Sequence, residues 1–195
     1  MNANEPPTRV LHLLPDFDLA GGQMILRRTI RVLDGPEWEH VVAGFGGGPL
    51  LEEYRRDGIR CEVLGDGGVR AWPAAFLRLV GLVRRERIDV MLSLNTPLDR
   101  SMAQLCALFT RRSVAVWFMS VAIPLIRFPP PLRRSPAFVK RLLLYPFNYL
   151  SSRRLGLLAA TSTAVAESFS DHLRIPVDRF AIVPPGLPDE SFDHE

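Results

Sequence analysis

A pair of glycines, Gly21 and Gly22, followed by Gln23, stands a few residues after an apolar run that ends at Leu14. Glycine has no Cβ, so its backbone can approach a ligand closely, and the first N–H groups of a following helix carry the positive end of the helix dipole. This arrangement suits a phosphate group. We therefore predict that Gly21, Gly22 and Gln23 contact a phosphate group of a ligand. The alternative is an ordinary flexible turn between a strand and a helix.

Further polar side chains come just after other apolar runs. In open parallel sheets, ligands bind beyond the carboxyl ends of the strands, where hydroxyl, amide and charged side chains can hydrogen-bond them. For Asp18, turn formation explains the residue at least as well, and Arg100 could instead be a solvated residue at a helix start. The predicted cleft residues are Asp18, Asn95, Thr96, Arg100, Ser120 and Ser162.

A third candidate region is the basic, proline-rich segment at 123–154. Between Arg100 and Ala166 the chain has ten basic residues and no acidic one, although its overall net charge is only +3. Positive charge interleaved with apolar side chains suits an anionic membrane surface or a partner enzyme, and a merely solvated basic face is the alternative. Nucleic acid is a poorer partner, because no RNA-binding aromatic motif is present. The residues predicted to face the anionic partner are Arg127, Arg133, Arg134, Lys140 and Arg141.

Other chemistries are disfavoured by the sequence. The chain has neither the G-x-G-x-x-G fingerprint of dinucleotide-binding proteins nor a P-loop lysine. His12 lies on a predicted buried strand and is interpreted as a satisfied core histidine; His40 and His172 are interpreted as structural or solvated. The spacing of Cys61 and Cys106 suits no zinc site, so we expect buried thiols in a reducing compartment and no metal.

The elements that must position these residues follow from the hydrophobic pattern. Seven short apolar runs alternate with segments of helical period, which predicts a doubly wound, mostly parallel α/β sheet with helices on both faces, a Rossmann-like fold. The predicted strands are 9–14, 40–45, 59–64, 88–94, 114–119, 156–161 and 180–183. Helices are predicted at 23–33, from Pro73 to about 85, from Arg100 onward, and at 164–173 after an N-cap at 161–162.

The 195 residues, of which 47% are apolar, fit one large domain. We predict a disordered tail at 1–8, the domain at 9–186 with the basic insertion inside it, and the beginning of an interdomain linker at 187–195. No secretion signal or spanning segment is recognisable, so we expect a cytoplasmic protein, either free or peripheral on the inner face of the plasma membrane. An uncovered face of the sheet would favour self-association into a homo-oligomer.

Several short motifs follow one another in an order that resembles a known family. They are RVLHLLP at 9–15, GGQ at 21–23, GPL at 48–50, GI at 58–59, RIDV at 87–90, AATS at 159–162 and RFAIVPPGL at 179–187. Over about residues 8–193 this series resembles the amino-terminal domain of family 4 glycosyltransferases, retaining enzymes built from two Rossmann-like domains in the GT-B architecture.

The resemblance implies an acceptor-binding domain that works with a second, nucleotide-sugar-binding domain, without a metal. It also assigns the glycine pair to the donor diphosphate and Gly186 to the segment that leads into the second domain. The family's pair of glutamates seven residues apart is missing. Ser93 and Asn95 lie where the family often has one histidine, and Met119 and Ser120 lie where it has another.

These features predict two alternative functions. The first is the acceptor half of a retaining glycosyltransferase with a nucleotide-sugar co-substrate and a sugar or lipid-linked acceptor, inactive without a donor-binding domain or chain. The second is a non-catalytic relative that binds a membrane or a partner enzyme.

Overall fold

The computed structural model describes residues 6–33, 35–94, 96–118, 149 and 157–184 of the chain. Short strands alternate with helices throughout these ranges. The strands are β1 (Thr8–Leu14), β2 (Trp38–Gly44), β3 (Arg60–Val63), β4 (Val90–Ser93), β5 (Ser113–Phe118), β6 (Leu157–Ala160) and β7 (Phe180–Ile182).

All seven strands join one sheet, in the order β3-β2-β1-β4-β5-β6-β7, and every adjacent pair is parallel. The Rossmann-like α/β prediction is therefore confirmed, and each predicted strand exists within two residues of its predicted ends. Because all strands run the same way, the turns that follow them lie at one edge of the sheet.

Within the described ranges, five α-helices connect the strands: α1 (Gly21–Val32), α2 (Leu50–Arg56), α3 (Trp72–Arg85), α4 (Pro97–Thr110) and α5 (Thr163–Leu173). The prediction did not include α2, which has only seven residues. Local chemistry explains several helix starts. Pro73 occupies the first turn of α3, and the side chains of Thr96 and Ser162 cap α4 and α5.

The helices cover both faces of the sheet. One apolar cluster packs α1 and α2 on one face through Leu26, Ile30, Leu50 and Tyr54. The other packs α3, α4 and α5 on the opposite face. Right-handed crossovers explain this division, because the chain first moves from β1 toward β3 and then returns to β4 and moves the other way.

Two predictions about core residues need correction. Cys106 is buried as predicted, but Cys61 is only half-buried, because β3 is an edge strand. His12 is buried, and its Nε2 lies 3.0 Å from Nδ1 of His40 on the neighbouring strand. The Nδ1 of His12 has no hydrogen-bond partner within the described residues, so this core histidine is only partly satisfied.

Candidate functional site

The strand order reverses between β1 and β4, which lie side by side in the sheet. The chain leaves β1 toward β2 on one side and leaves β4 toward β5 on the other. The turns after these two strands therefore diverge and leave a crevice between them, the usual ligand position in an open α/β sheet. The predicted residues Asp18, Gly21, Gly22 and Thr96 belong to the turns and helix starts at this crevice.

The glycine pair begins helix α1 rather than preceding it, since the helix starts at Gly21. The N-cap residue, Ala20, is extended and provides no side-chain cap, whereas α4 and α5 are both capped by side chains. Gly21 is exposed, and a Cβ added there would meet nothing within 4 Å. The first N–H groups of α1 are thus open to an anion, with the positive end of the helix dipole behind them.

Asp16 and Gln23 hold the turn that leads into α1. The Asp16 carboxylate accepts hydrogen bonds from the backbone N–H of Asp18 and from the side-chain amide of Gln23, both at 3.1 Å. The Tyr54 hydroxyl, from α2, donates to the backbone carbonyl of Gln23 at 2.9 Å. Asp16 and the Gln23 side chain therefore act as a scaffold, while the Asp18 side chain is exposed at the crevice.

The other wall of the crevice is built around Asp99, which the sequence analysis missed. The Ser93 hydroxyl, at the end of β4, donates to Asp99 Oδ2 at 3.0 Å, and the Thr96 hydroxyl donates to Oδ1. Asp99 is fully buried; burial raises its pKa to about 6, although hydrogen bonds from Thr96 and Ser93 and the charge of Arg100 oppose the shift. A polar residue three positions after a threonine N-cap was the available sequence signal.

Solved structures resemble this arrangement, although no family model and no curated relative matches the sequence. HepE from Anabaena, solved with UDP and glucose, has a TM-score of 0.71 and 15% identity over 92% of this chain and 45% of its own. A glycosyltransferase from Rickettsia africae has a TM-score of 0.67 and 12% identity over 95% of this chain and 45% of its own. The chain has a GT-B glycosyltransferase-like fold.

The chain is also similar in structure to enzymes that are not transferases. A UDP-GlcNAc 2-epimerase from Methanocaldococcus jannaschii has a TM-score of 0.58 and 10% identity over 90% of this chain and 45% of its own. This chain therefore spans slightly less than half the length of the solved GT-B-like chains it resembles, which fits a single half of that architecture.

In this GT-B-like half, Arg100 is not the solvated helix-start residue considered as an alternative. It is only 5% exposed, and its guanidinium carbon lies 5.7 Å from the centroid of the Phe118 ring, a cation–π geometry. Packing between α4 and β5 buries the side chain, which a sequence pattern cannot reveal. Its contact with an anionic ligand stays a prediction.

The remaining predicted residues divide into two groups. Ser162 is exposed, and its hydroxyl oxygen accepts the backbone N–H of Val165 at 3.3 Å, so it caps α5 at the carboxyl edge. The other group lies outside the described residues: Asn95, Ser120, Gly186, Arg127, Arg133, Arg134, Lys140 and Arg141.

Two further observations concern metals and membranes. Among the side chains that the structure describes, no three His, Cys, Asp or Glu residues come close enough to hold a metal ion. None of the helices within the described ranges is long and apolar enough to cross a bilayer.

Proposed function

We propose that this chain is the acceptor-binding half of a glycosyltransferase that transfers a sugar from a nucleotide-sugar donor with retention. A donor-binding domain or chain completes the enzyme. The observation that carries the proposal is the uncapped start of α1 at the point where the strand order reverses. The solved complexes of HepE with UDP and with UDP-glucose support a nucleotide sugar as the co-substrate of this fold.

The start of α1 suits the charge change of such a reaction. As the acceptor oxygen bonds to the anomeric carbon and loses its proton, the bond from that carbon to the diphosphate oxygen breaks. Negative charge grows on the leaving diphosphate, which takes up that proton. The N–H groups of Gly21 and Gly22 lie at the N-terminal end of a 12-residue helix, the positive end of its dipole, and stabilise that charge without rearrangement. The exposed carboxylate of Asp18 is available to accept a hydrogen bond from a hydroxyl of the acceptor.

Replacing Gly21 tests the phosphate contact directly. Gly21→Pro removes one N–H donor, and proline suits the first turn of a helix that follows an extended residue such as Ala20. Gly21→Ala keeps the donor, and its Cβ has free space. We expect the proline variant to bind UDP at least about tenfold more weakly than wild type, and the alanine variant to bind like wild type, in NMR titrations. Equal affinity of the two variants would contradict the proposal.

Measuring UDP release tests whether the chain needs a donor-binding domain for activity. The chain mixed with a donor-binding GT-B domain should release UDP from a UDP-sugar only when both components and an acceptor are present. The Gly21→Pro variant should lower this rate, while Gly21→Ala should preserve it. Release that is unaffected by omitting the chain would count against its role as the acceptor half.

A second candidate function, docking of a non-catalytic module on an anionic membrane surface, is favoured by the outer surface of α3 and α4. Leu77, Leu108 and Phe109 are 70%, 73% and 62% exposed, and Phe76 and Phe109 join the two helices in an edge-to-face contact with centroids 5.6 Å apart. The exposed charged side chains within these helices are all arginines: Arg78, Arg84 and Arg85, of which Arg85 is paired with Glu62 and Glu86. Apolar anchors beside positive charge fit a bilayer that contains anionic lipid.

Vesicle flotation tests the membrane-docking function. We expect the chain to float with vesicles that contain phosphatidylserine and not with neutral vesicles, and the Leu108→Ser/Phe109→Ser double variant to lose the difference. Val32→Ser, which changes an apolar residue on α1 that is 83% exposed, is the matched control. Equal flotation with both lipid compositions would rule out a charge-selective surface.

A further inference from the structure

A second cavity lies at the edge of the sheet opposite the glycine turn. It has a volume of about 240 Å³ and is formed where α1 and α2 end and where β2 and β3 begin. The residues that matter for its chemistry are Arg31, Trp38, Glu39, His40, Asp57 and Gly58. The proposed transfer site lies at the other edge, so this cavity needs its own explanation.

The polar groups in the cavity wall have unused hydrogen-bonding capacity. Glu39 accepts from Arg9 through Oε2 at 2.7 Å, and Asp57 accepts from Arg27 through Oδ2 at 2.6 Å. Neither Oε1 of Glu39 nor Oδ1 of Asp57 has a hydrogen-bond partner within the described part of the chain. The exposed guanidinium of Arg31 helps to lower the pKa of Asp57 through its charge, but it forms no hydrogen bond or salt bridge within that part of the chain. The cavity therefore offers both acceptors and donors to a ligand.

The charge balance favours a neutral ligand. Glu39 is paired with Arg9, and Asp57 shares Arg27 with Glu53. The positive charge of Arg31, which also acts on Asp57, balances the remaining negative charge. The carbonyl ends of α1 and α2 point toward the cavity and disfavour an anion, while Arg31 disfavours a cation. Neither a free phosphate nor an ammonium group gains from this arrangement.

The remaining wall is aromatic. Trp38 is 43% exposed at the beginning of β2, so the face or edge of its indole is accessible, and its N–H has no partner among the described residues. A hexopyranose ring combines an apolar C–H face with a rim of hydroxyl groups that both donate and accept. The cavity is smaller than the roughly 300–1,000 Å³ typical of drug-sized ligands, which suits a single ring.

We propose that this cavity is a carbohydrate-binding subsite that holds one neutral hexopyranose unit. The ring packs on Trp38 while its hydroxyls bond to Glu39, Asp57 and Arg31. The subsite is separate from the transfer site and does not depend on the proposed function, because it involves neither the glycine turn nor a second domain. It would give the protein a second point of contact with a sugar chain.

NMR of the indole N–H groups tests the proposal in the 195-residue chain. The protein has three tryptophans, and the Trp38 signal is identified by its loss in Trp38→Phe. Glucose, galactose and N-acetylglucosamine are titrated in turn, with inorganic phosphate and choline as charged comparisons. We expect at least one hexose to shift the Trp38 signal saturably, with a millimolar dissociation constant, and phosphate and choline to leave it unchanged.

Variants separate the subsite from other surfaces. The variants are compared by saturation-transfer difference NMR of the hexose protons, which does not need the Trp38 signal. Trp38→Ala and Arg31→Ala should each weaken hexose binding at least about tenfold. Arg28→Ala, which removes an exposed arginine from the same helix away from the cavity, should bind like wild type. Gly21→Pro should also bind the hexose normally, so failure of the transfer proposal leaves this one intact. The proposal is overturned if no hexose binds saturably, if phosphate or choline binds instead, or if Trp38→Ala and Arg28→Ala behave alike.

Discussion

Gly48 lies directly against the backbone of Phe17. A Cβ added to Gly48 would be 2.3 Å from the Phe17 carbonyl carbon, closer than real Cβ atoms approach any backbone atom. The Phe17 N–H donates to the Gly47 carbonyl, and the Phe17 carbonyl accepts from Leu50, so the turns after β1 and β2 are locked together. This contact supports the turn that carries Gly21 and Gly22.

The first prediction follows from that contact. Gly48→Ala should destabilise the chain by about 1–3 kcal/mol, because the new methyl group has no space unless the turn moves. Gly47→Ala, whose Cβ would meet nothing within 4 Å, should be close to neutral and is the matched control. Urea denaturation followed by circular dichroism measures both. Equal stability of the two variants would show that the close contact between Gly48 and Phe17 does not hold the turns together.

A second prediction concerns His12. Burial, with the nearby charge of His40, lowers its pKa from 6.5 to about 3. Between these pH values the unfolded chain binds more protons than the folded one, so stability is present above pH 6.5 and is lost as the pH falls toward 3. In His12→Gln this loss should be absent. The free energy of unfolding of wild type relative to the variant should fall by about 1.4 kcal/mol per pH unit across that window.

The measurement is a series of urea titrations of both proteins from neutral to acidic pH. His172→Gln, which replaces a half-buried histidine on α5, is the control for the loss of a histidine at another position. Parallel stability curves for wild type and His12→Gln would contradict the buried neutral state of His12.

Asp99 should have the opposite effect. Its pKa is raised from 3.8 to about 6, mainly by burial. The folded chain therefore binds the proton more tightly than the unfolded one, and the contribution to stability is full below pH 3.8 and is lost as the pH rises through 6. The stability of wild type relative to Asp99→Asn should rise by about 1.4 kcal/mol per pH unit as the pH falls between these values. Asp171→Asn, an exposed change on α5, is the control, and a slope like that of the control would refute the prediction.

A fourth prediction concerns the contact between α1 and α2. Arg27 Nε donates to Asp57 Oδ2 at 2.6 Å, a second nitrogen bonds to Glu53, and the Arg27 side chain is mostly buried. These bonds raise the pKa of Arg27 and lower that of Asp57. Arg27→Ala should cost about 1–3 kcal/mol, because it leaves Asp57 without its partner. Arg28→Ala, the control, should have little effect on stability. The melting temperatures of the two variants are compared by thermal unfolding. Similar melting temperatures would show that the bonds of Arg27 to Asp57 and Glu53 do not stabilise the fold.

The sequence predicted the architecture well because the strands are apolar runs of the length that a buried parallel sheet requires. Residues 9–14 and 114–119, for example, match β1 and β5 within one residue. The pattern missed α2, since seven residues give too little periodicity. It also placed the start of α1 two residues late, because glycine is a poor helix former and hides the true beginning. The predicted domain boundaries and site roles stay predictions.

The candidate site was predictable only in part. The glycine pair is visible in the sequence, because two consecutive glycines shortly after an apolar run mark a turn by residue type alone. Asp99 and the buried position of Arg100 were not, since both depend on which strand ends and helix starts the sheet order brings together. In the sequence, nothing distinguishes Phe17 from other apolar residues in turns. Only the fold shows that its backbone contacts Gly48.

The sequence by itself determined the alternation of strands and helices, the edge at which the glycine turn lies and the concentration of positive charge after Arg100. Hydrophobic period and residue type are local properties, and a single chain displays them directly. The tertiary structure decided which turns face each other across the crevice, why the pKa of Asp99 is raised and where the cavity beside Trp38 forms. Those features depend on strand order, and strand order is set by packing between residues that are far apart in the chain.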